Sequence, residues 1–170
     1  TIAEAMQTVG LDPKRIPEAR RNDIDTFIEL HIEQGPILEQ ADIPVAIVNA
    51  VTGIRHYTVE LRGTQNHAGA FPMDIRRDPM AGFMEIGSQA IDTAHRWGRP
   101  AVTTVGRVVA EPNATAVIPS KVTFTIDARH PDPELCQRLY ATHEAMMREV
   151  AGRRGLDLDW TVQIDHRPCL

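Results

Sequence analysis

From Ile54 onward the chain alternates apolar and polar positions with few interruptions. Tyr57, Val59 and Leu61 alternate with Thr58, Glu60 and Arg62, which predicts a half-buried strand. A loop, GTQNHAGAFPMD, follows it. Asp78 then offers an N-cap with Pro79 at the first helical position. Met80, Phe83, Met84, Gly87, Ala90, Ile91 and Ala94 recur at helical spacing until Gly98 and Pro100 end the helix. The strand AVTTVGRVVAE and the loop PNATAVIPS come next.

In KVTFTIDAR, Val122, Phe124, Ile126 and Ala128 share one face, and Thr123, Thr125, Asp127 and Arg129 the other. Asp132 and Pro133 open a second helix, with a stripe of Leu135, Leu139, Met146 and Val150 that ends near Gly155. A last strand sets Leu156, Leu158, Trp160, Val162 and Ile164 against Asp157, Asp159, Thr161, Gln163 and Asp165. This order predicts an α+β fold, a ferredoxin-like split βαβ sandwich with two helices on one face of a four-stranded antiparallel sheet.

The first 50 residues read differently. Ile24–Gln34 predicts a strand ended by Gly35-Pro36, PILEQ a short helical stretch, and IPVAIVNAV a second apolar strand. These pieces cannot enclose a core by themselves. The expected organisation is an incomplete domain segment at 1–50 and a domain of its own at 51–166.

Composition narrows the class. At 170 residues, 42% hydrophobic and 24% charged, the chain is long and apolar enough for a globular core. A net charge of -5 argues against nucleic acid as a partner, and no apolar run is long enough for a membrane span. Only two cysteines are present, Cys136 and Cys169, too few for a disulfide framework or a zinc site of their own. The expectation is a soluble cytoplasmic protein made without a secretion signal.

Three stretches carry candidate chemistry. In a strand, Glu29, His31 and Glu33 would project together, as a metal-binding imidazole flanked by carboxylates or as a solvated strand face. His67 in NHAG sits on a loop, where an imidazole can hydrogen-bond a developing oxyanion or merely face solvent. Arg129 ends a polar strand face, free to clamp a carboxylate or to pair with Asp127 or Asp132. His95, His143 and Trp160 read as structural.

FIELHIEQGPILE, GTQNHAGAFPMDIRRDP and PNATAVIPSKVTFTIDARH, in this order, resemble the M20 metallopeptidase-like amidohydrolases. The similarity is to the branch of N-carbamoyl-L-amino acid hydrolases, allantoate amidohydrolases and β-ureidopropionases, and it covers essentially the whole chain. It implies a catalytic domain with a divalent metal centre, zinc or manganese, and an inserted lid domain that forms a homodimer. It further implies His31 as a metal ligand, His67 as the lid histidine that stabilises the tetrahedral intermediate, and Arg129 as the ligand of a substrate carboxylate.

The family's PN-x-x-NV-x-P motif has Ala116 where a substrate-binding Asn is expected, and Asn113 remains as a substrate-binding candidate three residues earlier. The family's upstream His-x-Asp and Glu-Glu ligands are not matched. The expectation is therefore a fragment of an enzyme hydrolysing the C–N bond of a small carbamoyl or ureido acid, inactive alone and holding no metal stably. The alternative is a stand-alone, non-catalytic dimerisation module.

Overall fold

The computed structural model describes residues 1–169 and divides into two units, Thr1–Ala46 and a second that begins at Ile47. The first unit holds little regular structure. Helix α1 (Ile2–Thr8) is opened by a capping box between Thr1 and Glu4, a 3-10 turn covers Pro13–Ala19, and α2 (Ile37–Gln40) is a single turn.

The strands expected at 24–34 and 43–51 do not form. A strand exists only against a neighbour that takes its N–H and C=O groups, and among the described residues these segments have none. One isolated bridge, Val51 to Cys169, is the exception. Phe27, Ile28, Leu30 and Ile32 consequently lie open to solvent, as do Ile47 and Val48.

The second unit follows the alternation closely. Its long strands are β1 (Gly53–Arg62), β3 (Val102–Glu111), β5 (Lys121–His130) and β6 (Asp157–His166). The two-residue strands β2 (Asn66–His67) and β4 (Val117–Ile118) form a small separate ribbon. Helices α3 (Pro79–Trp97) and α4 (Pro133–Arg153) complete the set. The four long strands form one sheet in the order β3-β5-β1-β6, and every neighbouring pair is antiparallel.

Both helices pack on the same side of this sheet. Tyr57, Val59 and Leu61 of β1 and Val122, Phe124 and Ile126 of β5 are fully buried against Ile86 and Ala90 of α3 and Met147 and Val150 of α4. The Phe83 and Phe124 ring centroids stand 4.9 Å apart. Asp78 and Asp132 cap α3 and α4 as expected, accepting from Met80 and Leu135 backbone N–H groups. Such caps contribute about 1 kcal/mol each.

Two details depart from the expected pattern. The buried stripe of α3 runs through Gly82, Ile86, Ala90 and Thr93, and Met84 and Ile91 stay exposed. In β6 a bulge opposite His56 and Tyr57 shifts the register, so Ile164 pairs with His56 and leaves the face shared by Leu158 and Trp160. No helix among the described residues is long and apolar enough to cross a membrane.

Candidate functional site

The loop carrying His67 is tied down at both ends. At the end of β1, Gly63 donates its N–H to the Ser120 carbonyl at 2.8 Å, and Thr64 donates to Arg77 O at 2.9 Å. A Cβ on Gly63 would sit 2.0 Å from the Arg77 carbonyl oxygen, so this crossing admits no side chain. The ribbon of β2 and β4 then pairs Asn66 with Ile118 and His67 with Val117, and Ala68 donates to Ala116 O at 3.0 Å. Backbone pairing thus brings NHAG and PNATAVIP together, although almost fifty residues separate them in sequence.

Inside the loop, His67 Nδ1 accepts the backbone N–H groups of Gly69 and Ala70, both at 3.1 Å. A nitrogen that accepts two hydrogen bonds carries no proton, so the neutral ring holds its proton on Nε2. The imidazole is exposed and ready to donate from Nε2. Arg76 braces the same turn from below: its Nε donates to Phe71 O at 3.0 Å, and a terminal nitrogen donates to Ala68 O at 2.6 Å. The sequence reading did not single out Arg76. Its signal lies only in the arginine pair after MDI, which is indistinguishable from surface charge without the fold.

Arg129 lies on the sheet face away from the helices. Its Nε and one terminal nitrogen donate to the two oxygens of Asp127 at 2.8 and 2.7 Å. Across the ladder His56, paired in register with Asp127, reaches the same carboxylate through Nε2 at 2.8 Å. Asp127 is held below the usual carboxylate value: burial raises it, and the Arg129 and His56 contacts outweigh burial. Asp127 in turn holds the Arg129 guanidinium above its ordinary value, against a smaller burial cost. The pairing with Asp127 uses one edge of the guanidinium. The side chain is 44% exposed. His56 was the second residue overlooked, because its partner lies 71 positions along the chain.

Asn113 stands at φ +60° in the exposed turn between β3 and β4. That left-handed conformation favours Asn among non-glycine residues and accounts for its residue type there. In the first unit, His31 is exposed and its Nδ1 contacts Ile32 O at 2.6 Å. With Nδ1 as donor, Nε2 is left available to a metal. The flanking carboxylates do not join it as the strand pattern implied. Glu33 instead caps α2, accepting from Ile37 and Leu38 N–H groups at 3.0 Å each. Among the described residues no group of three His, Cys, Asp or Glu side chains could hold a metal ion, so this donor set does not by itself fit a dinuclear centre.

No family model matches the chain. It is 39% identical over 168 residues to the allantoate amidohydrolase of Escherichia coli, matching 99% of this chain and 41% of that protein. It is 38% identical over 160 residues to the N-carbamoyl-L-amino acid amidohydrolase of Geobacillus stearothermophilus, covering 93% of this chain and 39% of the relative. A solved amidase of the hydantoinase/carbamoylase family from Burkholderia multivorans superposes with a TM-score of 0.73 at 34% identity, covering 81% of this chain and 34% of that one. The chain therefore spans about two fifths of the length of these curated relatives. With the sequence matched nearly end to end and four fifths of the chain matched in space, the homologues of this chain are the allantoate and N-carbamoyl-L-amino acid amidohydrolases.

Proposed function

We propose that this chain is a segment of a metal-dependent amidohydrolase acting on N-carbamoyl amino acids or ureido acids such as allantoate. Water would cleave the ureido C–N bond, leaving the amine and releasing ammonia and carbon dioxide. Residues 51–166 would form its ferredoxin-like lid, and residues 1–50 a part of its catalytic domain. The strand order β3-β5-β1-β6 with both helices on one face supports the lid assignment. His31 would supply one metal ligand, and the others would come from outside this chain.

The observation that carries this reading is the fixed tautomer of His67. Hydrolysis of a ureido group builds negative charge on the carbonyl oxygen, and a preset N–H donor stabilises that charge without reorganising. Arg129 would take the substrate carboxylate on its unpaired edge, and Asn113 a polar group of the substrate.

The chain would form a homodimer through the lid, and the contrast between the two sheet edges supports that reading. β6 carries Asp157, Asp159 and Asp165, charges that discourage pairing, whereas the edge strand β3 exposes Val102, Val108 and Val109.

The test is ammonia release by the complete gene product, supplied with N-carbamoyl amino acids and with allantoate. We expect activity that a chelator abolishes and zinc or manganese restores, and none from the 170-residue chain alone. Silence of the complete protein on all these substrates would overturn the reading and leave a dimerisation module.

A further inference from the structure

A side chain from another strand reaches the carboxylate that holds Arg129. The antiparallel register sets His56 of β1 directly across from Asp127 of β5, and Arg129 lies two residues on, on the same face. The Asp127 carboxylate accepts three hydrogen bonds from side chains: Arg129 Nε on Oδ1, and an Arg129 terminal nitrogen and His56 Nε2 on Oδ2.

Each contact removes a degree of freedom. The paired bonds make guanidinium and carboxylate coplanar, a side-on fork that leaves the far edge of the guanidinium unpaired. By themselves they let the pair turn together about the Asp127 side chain. The imidazole on Oδ2 stops that rotation. His56 and Asp127 are only 33% and 28% exposed, so this brace is partly shielded from water, and Arg129 is the more open end.

We propose that His56 is a positioning residue for substrate: through Asp127 it fixes the plane in which Arg129 presents its free N–H edge to a substrate carboxylate. This rests on the reading of Arg129 as the carboxylate ligand. It deepens that reading by naming the carboxylate end of the substrate as the part His56 controls. No residue role implied by the family resemblance falls on His56, and it never touches the substrate itself.

The experiment is steady-state kinetics of the complete gene product on an N-carbamoyl amino acid and on its carboxamide, which lacks the anionic end. His56→Phe removes the donor, and His56→Gln keeps an N–H at the same reach along the side chain. We expect His56→Phe to raise KM for the acid about tenfold, the scale of losing one charge-assisted hydrogen bond, with kcat changed less than about twofold. His56→Gln should restore most of the affinity, and KM for the carboxamide should not move.

Arg129→Ala, run alongside, separates the two claims. If it raises KM for the acid and His56→Phe does not, His56 is not a positioning residue and Arg129 remains the ligand. If neither variant raises KM, the Arg129 reading fails and takes this proposal with it. Equal losses on acid and carboxamide, or a lowered melting temperature with no rescue by Gln, would mark His56 as merely structural and overturn the proposal.

Discussion

The Nδ1 of His67 accepts the backbone N–H of Gly69 at 3.1 Å, a contact between residues two apart that decides which ring nitrogen carries the proton. The prediction is direct. Nitrogen-15 NMR of the chain at neutral pH should show His67 in the Nε2–H tautomer; the Nδ1–H form would contradict it. In the complete enzyme, His67→Ala should lower kcat by about 10²–10³, the cost of one oxyanion donor, with a smaller change in KM.

Arg76 holds the same loop through two carbonyls, Ala68 O and Phe71 O. Arg76→Met should leave the sheet core intact, because that core lies between β1, β5, α3 and α4. Hydrogen exchange at Gly69 and Ala70 should speed up, and kcat should fall about tenfold as His67 loses its fixed position. Unchanged exchange at those two amides would show that the loop holds itself.

Gly63 and Gly82 predict opposite tolerances to alanine. At Gly63 the added Cβ meets a backbone carbonyl, Arg77 O at 2.0 Å, which can move only if the chain moves. At Gly82 it meets the ends of Leu156 and Leu61 side chains, which can change rotamer. Urea denaturation should show Gly63→Ala losing several kcal/mol, roughly 2–4, and Gly82→Ala clearly less. An equal loss at both would refute the distinction.

His143 is fully buried on α4, with Nε2 3.0 Å from Thr103 Oγ1 and, among the described residues, no partner at Nδ1. Burial pushes its pKa down to about 4. The unfolded chain, with an ordinary imidazole, therefore binds a proton at pH values where the folded chain does not. Linkage makes this stability complete above about pH 6.5 and progressively lost as pH falls toward 4, by at most about 3 kcal/mol. His143→Leu should flatten that part of the pH–stability curve in urea titrations. A variant that loses stability as steeply as the parent would place the acid sensitivity elsewhere.

The β3 edge should govern assembly. Sedimentation equilibrium should give a dimer for the chain, and Val108→Lys should shift it toward monomer without changing its circular dichroism. Dimers undisturbed by a lysine at that edge would move the interface to another surface.

The sequence by itself determined the second unit. Period-2 alternation in β1 and β5 set which residues face the helices, and Asp-Pro pairs set where both helices begin, because these are local choices of backbone and side chain. The same local logic misled at 24–34, where Phe27, Ile28 and Leu30 have strand-like character but no neighbouring strand to bond. It also misplaced Ile164, since the bulge that turns it belongs to a pair of strands and not to one.

The residues of the candidate site divide in the same way. His67 and Arg129 were legible as residue types in short motifs. Their surroundings were decided by the tertiary structure, because Asp127 meets His56 only across the β1–β5 register, and the His67 loop meets Ala116 only through the β2–β4 ribbon. A hydrogen bond between residues far apart in sequence leaves no periodic trace in the chain. It exists once strands have closed the distance, as where His56 meets the carboxylate that holds Arg129.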